Sequence, residues 1–524
     1  MIFSDILTQG YLGNAFCYFL LILAGLVVHI LNTVLLQPYL FWRKYKKYPN
    51  VITRESFSPI LGDMKEHIDS MRENKVHYAY MKNGAEKYNK HDLRVTLDGI
   101  FPTVMVLSNK ALEEFLSMQV TKIDRDDLNS GVSGLIPHSL VTMPSTKEVM
   151  RRRKNMLSWV SLNSASKYIP RMLRCLERVS NDMKTKKQVD LVHSMNVVTF
   201  DVFSDILFGD DVKELVSKLY PYDNPDGSTE MIELREMLIR LTKCHISHFF
   251  HPSSHMFKFL KRRGLVNPFK RDAKNAAEFK RAILELVKNS KEQKAAHHMF
   301  SDPLSNEVQK LDEVCGVMLA GPETTSHSLV SCLYFLNKNP ETLKKLREEL
   351  NANGFKKGKS FYEICTMEKI QSMTYLTCCV KEAFRCDIVA PRSFSYAALE
   401  DIEICDVPIS KGTKIRIDLS TCHFDKNKWP DEYEFIPERH DFESEYYQKA
   451  KQTGIKPDVY SRRTFSHGMR SCPGQSFAML EMKVAIAYLV THLDIQFDEE
   501  QLNNKDIGFG LGSHFIPLVT VKEH

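Results

Sequence analysis

Apolar positions along this chain follow three patterns. The first is an unbroken run. Between Ile6 and Trp42 there is no Asp, Glu, Lys or Arg, and the segment from Phe16 to Leu36 is almost wholly apolar. About 20 such residues span a bilayer as a helix, so a single N-terminal transmembrane helix is expected. The second pattern repeats every three or four residues, as one face of a helix does. Ala276, Phe279, Ile283, Leu286 and Val287 predict a helix over Ala273–Ser290, and Met231–Leu241 repeats the pattern. Helices are also predicted from about Ser305 to Asn337, over Pro340–Leu350, over Gln371–Phe384, and from Gln475 through Val490. The Ser305 helix is expected to break at Ala320-Gly321-Pro322. Asn267-Pro268 marks a loop, and Lys291–Pro303 is polar. The third pattern is alternation, and it appears late. Glu403–Ile409 and Thr413–Ile417 bracket Ser410-Lys411-Gly412 as the arms of a hairpin would, and Phe515–Val521 is β-rich. The fold class is therefore mainly α with minor β regions.

Composition adds little to this outline. The 524 residues are 26% charged and 43% hydrophobic, enough apolar material for a large core, and no Pro/Gly/Ser-rich linker divides the body. The expected organisation is a transmembrane segment over 1–42, a basic, proline-containing connector over 43–62, and one large domain over 63–524. Charge refines the membrane reading. Arg43, Lys44, Lys46 and Lys47 follow the apolar run at once, which places the body on the cytoplasmic side. No basic n-region or small-residue cleavage site is evident, so the segment reads as an uncleaved anchor. The net charge of +6 is mild and suits an anionic membrane surface or an acidic protein partner. No basic stripe interleaved with aromatics occurs, so no nucleic-acid partner is expected. The twelve cysteines include no C-x-x-C, which fits a reduced chain whose cysteines are mostly small buried hydrophobes.

Cys472 departs from that default. It lies in Phe465-Ser-His-Gly468-Met-Arg470-Ser-Cys472-Pro-Gly474, just before the helical pattern opening at Gln475. Free N–H groups and the dipole at a helix start stabilise an anion and so favour thiolate. Gly468 and Gly474 permit tight turns and close approach to a flat group, Arg470 offers a charge for a carboxylate, and Phe465 offers a face to pack on a ring.

With every fixed position of F-x-x-G-x-R-x-C-x-G filled, this stretch resembles the haem-binding signature of the cytochrome P-450 family. Two further motifs follow the family's order. Ala320-Gly321-Pro322-Glu323-Thr324-Thr325 resembles A-G-x-[DE]-T-T on a helix crossing the distal face of the haem. Glu382-Ala-Phe-Arg385 together with Pro437-Glu438-Arg439 resembles a buried charge triad, structural rather than catalytic, of Glu382, Arg385 and Arg439. Val149-Met-Arg-Arg-Arg153 is a weaker match: Val149 stands where the family often has Trp, and Arg153 is a candidate for a haem propionate. Arg392 is a candidate for the second propionate. Asp124-Arg125 also fits the family's order, and Met469 stands where proline is common.

The resemblance implies a cytochrome P-450 fold carrying haem b (iron-protoporphyrin IX), with Cys472 as the metal ligand. It assigns Phe465, Gly468, Arg470, Gly474, Arg153, Ala320 and Gly321 to cofactor binding. Glu323 and Thr324 would relay protons to bound dioxygen. The implied reaction inserts one oxygen atom from O2 into a lipophilic substrate: a lipid, sterol, fatty acid or xenobiotic. No G-x-G-x-x-G fingerprint is present, so electrons are expected from a separate NADPH-dependent reductase docking near the cysteine loop. The expected location is the endoplasmic reticulum membrane, single-pass, with the catalytic domain cytoplasmic. Variable segments near Asn129–Leu140, Met231–Leu241, Leu311–Leu319 and Ala390–Tyr396 are expected to line the substrate pocket. Competing readings are a reductase-independent isomerase or dehydratase of lipid peroxides, a non-catalytic haem-binding protein, and, remotely, a cysteine hydrolase using Cys472.

Overall fold

The computed structural model describes residues 2–60, 62–74, 79–98, 101–125, 135–209, 212–250, 270–290, 294–455, 457–503, 508 and 516–524. The Asn267-Pro268 loop, Asn129–Gly134, Lys291–Gln293 and Phe515 lie outside them. A helical body and a small β region make up the rest. The helices that matter below are α1 (Ile2–Leu31), α2 (Lys147–Val160), α3 (Ile169–Lys184), α4 (Leu191–Leu207), α5 (Leu234–Phe250), α6 (Lys270–Asn289), α7 (Glu307–Lys338), α8 (Thr374–Cys386) and α9 (Gln475–His492).

The N-terminal apolar run is helical. α1 continues through a π turn at Asn32–Leu36 into a helical segment, Gln37–Tyr45, without a break. The stretch Cys17–Tyr45 is long and apolar enough to cross a membrane, and its apolar window is unburied by the rest of the chain. The helix does not stop at Trp42 but runs three residues into the expected connector. Its last turn is docked: Tyr45 is fully buried and donates to Pro408 O at 3.0 Å, while Trp42 Nε1 donates to Arg54 O at 3.1 Å.

A six-stranded sheet supports one flank of the site. Its order is β1 (Val51–Ile52), β2 (Leu93–Asp98), β3 (Phe101–Val106), β6 (Lys414–Ile417), β5 (Tyr396–Ala398) and β4 (Ile123–Arg125). The register of β4 against β5 sets Arg125 opposite Tyr396. The expected hairpin is corrected here. Ile402–Ile404 pairs with Val407–Ile409 across Cys405-Asp406, both in the left-handed region (φ 51° and 61°). That two-residue turn lacks the Asn-Gly signal by which such turns are usually recognised. The Thr413–Ile417 arm leaves it and joins β3 and β5 instead. Met231–Leu241 is also corrected. Thr229–Glu233 is a strand paired with Leu219–Asp223, and helix begins only at Leu234. Within the polar stretch ending at Pro303, Ala295–Phe300 is a short helix with Ala295 and Ala296 buried.

α7 is the axis of the body. Asn306 and Gln309 form a capping box at its start, and the helix runs without interruption past Pro322. The expected break at Ala320-Gly321-Pro322 is absent because neighbours hold the turn. Thr199 of α4 donates to Pro322 O at 2.9 Å, and Ser326 donates to Asn196 Oδ1 at 2.7 Å. Proline removes one intrahelical hydrogen bond; these cross-helix bonds and the packing of α4 and α9 keep the helix intact.

Candidate active site

The cysteine loop is built by backbone geometry. Gly468 has φ +75°, and a Cβ there would lie 2.4 Å from Gln119 Oε1 and 2.7 Å from Leu116 Cδ2. Both constraints demand glycine. Gln119 is buried at the end of a helix, Asn109–Met118, where it accepts the Met469 N–H at 2.9 Å and donates to the Tyr396 hydroxyl at 3.3 Å. The loop closes on itself through Cys472 N–H donating to Phe465 O at 2.8 Å. Phe465 packs edge-on against Phe384 of α8 at 5.3 Å. Gly474 caps α9.

Ten of the twelve cysteines are buried or half-buried; only Cys17, in the apolar helix, and Cys472 are exposed. The surrounding protein still disfavours charge on the Cys472 sulfur. Although the residue as a whole is exposed, desolvation around its sulfur pushes the thiol up, against the opposing effects of the Gly474 N–H and Arg153. The helix start alone therefore does not secure the thiolate. A cation bound to the sulfur would, because metal binding drives off the proton. Among the described residues no group of three His, Cys, Asp or Glu side chains is placed to cage a bare ion.

Beside the loop stand three arginines. Arg153 of α2 donates to Ser471 O at 2.6 Å. Arg470 donates to Ser145 Oγ at 3.1 Å and to the carbonyls of Leu140 and Met143. Arg125 lies over the Tyr396 ring at 4.4 Å, with Nε and Nη1 buried and without partners among the described residues. Burial and then Arg125 push the Arg470 guanidinium down to about 10, and burial lowers Arg125 and Arg153 too. The nearby carboxylate, Asp124, is already engaged by the Ser145 N–H (2.7 Å) and hydroxyl (2.8 Å). Buried guanidinium nitrogens without acceptors call for an anion. Haem, the group implied by the resemblance, carries two propionates, and these residues fit it. Arg392 is not part of this cluster. It pairs with Asp98 at 3.4 Å and is bonded to the Tyr80 hydroxyl.

The distal side is α7. Ala320 is exposed there, and the Thr324 hydroxyl donates to Ala320 O at 2.7 Å. Gly321 answers to a different neighbour than the one expected. A Cβ on it would lie 2.2 Å from Phe203 Cζ of α4, so the close approach at Gly321 is made by a protein ring rather than by a cofactor. Burial, opposed by Lys243, pushes the Glu323 carboxyl up to about 7. Glu323 and Thr324 are consecutive and do not face each other on a helix. Asp312 and Glu313, about three turns earlier at 3.6 residues per turn, accept the backbone N–H groups of His138 (2.8 Å) and Leu140 (3.0 Å). Gly316 leaves room for Ser139, whose Oγ would be 2.6 Å from a Cβ there. The loop that carries the Arg470 acceptors is thereby fixed to the distal helix.

The expected charge triad assembles as a group of four. Arg385 donates to both Glu382 oxygens (2.9 and 2.8 Å), Arg439 Nε donates to Oε1 at 3.1 Å, and His440 Nε2 lies 2.9 Å from Oε2. All four are buried. Burial alone would raise the Glu382 carboxyl; Arg385 and the His440 hydrogen bond outweigh it and hold the group well below the carboxylate range. Burial pushes His440 down to about 4, so it is neutral and donates. Its position beside Arg439 in sequence was the available signal. Gln119 and Arg125 gave less, because their roles depend on strand register and on the turn of a distant loop.

Comparison with known proteins agrees with this geometry. The family model described as "Cytochrome P450" matches residues 58–518. Cytochrome P450 3A9 of Rattus norvegicus is 30% identical over 341 residues, 63% of each chain. Cytochrome P450 3A31 of Mesocricetus auratus is 27% identical over 319 residues, 60% of this chain and 59% of that one. The (S)-canadine synthase CYP719A21 of Papaver somniferum is 24% identical over 296 residues, 56% of this chain and 54% of that one. The matched region spans less than two thirds of these relatives' lengths.

Proposed function

This chain belongs to the cytochrome P450 family, and from that premise we propose that it is a membrane-anchored haem-thiolate monooxygenase with Cys472 as the iron ligand. The observation that carries the reading is one exposed cysteine in a glycine-turned loop beside Arg153, Arg470 and Arg125, the last with two buried guanidinium nitrogens that have no acceptor among the described residues. Thiolate-ligated haem supplies the oxygen-activating chemistry, inserting one atom of O2 into a substrate while the other leaves as water.

The chain's own residues have distinct tasks in this scheme. Arg125, Arg153 and Arg470 hold the propionates; Phe465, Gly468 and Gly474 shape the loop beneath the ring. Ala320 lines the distal side. Thr324 Oγ1 has its proton directed at Ala320 O, so its lone pairs are free to accept from a water in the cleft. Glu323 titrates near neutrality and is the proton store, reaching the cleft by a water because its side chain leaves the helix in another direction. Glu382, Arg385, Arg439 and His440 hold α8 to the segment after Pro437 and take no part in the chemistry.

Electrons come from a separate NADPH-dependent reductase. Its docking face is the cysteine-loop side, where Met469 is 50% exposed and α2, fixed to the loop by Arg153, presents Lys147 and Lys154. The substrate is lipophilic. The apolar helix anchors the chain in the endoplasmic reticulum membrane with the body in the cytoplasm. The deciding measurement is the carbon-monoxide difference spectrum of the reduced protein. Wild type is expected to show the red-shifted Soret band of a thiolate-ligated haem, and Cys472→Ser to lose it. A band that survives the substitution overturns the assignment. Reductase-independent turnover of a lipid hydroperoxide would replace monooxygenation with isomerase or dehydratase chemistry.

A further inference from the structure

On the side of α2 away from the cysteine loop lies a cavity of about 730 Å³. Its walls are α2, the start of α3, the short helix Ala295–Phe300 and the first turns of α7. That volume falls in the range of small-molecule sites, about 300–1,000 Å³. None of the residues assigned above to haem binding or proton transfer lines it.

Its charge is one-sided. Five lining residues are basic (Arg152, Lys167, Arg171, Lys294 and Lys310), against two acidic ones, Asp302 and Glu313. Both acids are already committed: Arg151 lies 2.6 Å from Asp302, and Arg152 lies 2.7 Å from Glu313. Burial also pushes the Glu313 carboxyl up to about 8, which weakens it as a counter-charge. No acidic side chain among the described residues lies within ion-pair distance of Lys167 or Lys310. A concave surface lined by one sign of charge focuses the field and concentrates ions of the opposite sign.

The cavity is not merely basic. Trp159 and Tyr168 supply ring surface, Met156 and Met299 supply adaptable apolar surface, and the Trp159 indole N–H is buried without an acceptor among the described residues. An acceptor arriving there would pair that donor. We propose that this cavity is a binding site for an amphipathic organic anion: a flat apolar body lying on Trp159 and Tyr168, with a phosphate or sulfate head held by Lys167 and Lys310.

The test uses full-length, haem-loaded protein with the haem cavity filled by an iron-ligating azole, and 1-naphthyl phosphate as the probe in equilibrium dialysis. The expected result is one probe per haem, not displaced by azole, with affinity falling as salt rises. Lys167→Glu combined with Lys310→Glu is expected to weaken binding at least tenfold while leaving the thiolate Soret band unchanged. Trp159→Phe, which keeps a ring and removes the donor, is expected to weaken it about fivefold. Unchanged binding in the double lysine variant overturns the site, as does displacement of the probe by azole. Inorganic phosphate binding as tightly as the naphthyl ester overturns the amphipathic class. Because the Soret band is read in the same samples, loss of probe binding is distinguishable from loss of the haem site.

Discussion

Gln119 shows how a residue outside every motif governs one. Its side-chain oxygen takes the Met469 N–H, and its amide reaches the Tyr396 hydroxyl beneath Arg125. The turn of the cysteine loop and the seat of Arg125 thus share one buried amide. Gln119→Leu should leave the Met469 N–H unpaired at a cost of about 1–3 kcal/mol. The expected outcome is a lower denaturant midpoint together with a larger fraction of reduced, CO-bound protein lacking the red-shifted band. Gln119→Glu keeps the acceptor and should recover the band better than Leu. If both variants behave alike, the hydrogen bond is not what positions the loop. Such residues leave little trace in sequence. Cys472, Gly468 and Arg470 are legible because they crowd into ten positions, whereas Gln119 and Arg125 meet them only after β4 pairs with β5. Arg392 misled for the same reason: sequence places it after a proline, but only the sheet shows Asp98 waiting for it.

At the scale of elements, the buried group around Glu382 joins α8 to the turn after Pro437. Removing one member leaves charges uncompensated in the interior, so Glu382→Gln should cost roughly 3–5 kcal/mol, read as a fall in unfolding midpoint and poor recovery of folded protein. Its pH dependence has a definite sign. Glu382 is depressed when folded, so its contribution is complete above the unfolded carboxylate value of about 4.3 and fades as pH falls below it. His440 acts earlier. Burial holds it near 4 when folded, against about 6.5 unfolded, so the unfolded chain takes up its proton first and stability declines as pH falls from about 6.5 towards 4. His440→Gln should flatten that limb of a stability-against-pH curve; an unchanged slope would show that His440 is not responsible. The helices themselves were largely legible, since α6 and α8 carry strong periodicity and α7 a capping box, while α9 is a long apolar run. The errors came where local signal and tertiary context part. Pro322 predicts a break that Thr199 and Asn196 of α4 prevent. Met231 looks helical until Tyr220 and Tyr222 draw its segment into a strand pair.

For the whole molecule, the docked end of the N-terminal helix decides where the anchor stops and the body begins. Deleting residues 2–31 should release the protein from carbonate-washed membranes without lowering its unfolding midpoint. Extending the deletion through Tyr45 should destabilise the body by about 3–5 kcal/mol, the usual cost of losing a large buried aromatic side chain. Equal stability of the two truncations would show that the Tyr45 contact to Pro408 contributes nothing.

The unbroken helix from Ile2 to Tyr45, roughly 65 Å at 1.5 Å per residue, also acts as a lever arm. A flexible linker would let the body float at any angle above the lipid, whereas this connection passes on the angle of the span. Transmembrane helices tilt to match the thickness of the bilayer that holds them. A thinner membrane would therefore lean the helix and swing the body with it, changing how close its openings stand to the lipid surface. For a lipophilic substrate stored in that lipid, bilayer thickness would then set the rate of supply, with no change in any residue that touches the substrate.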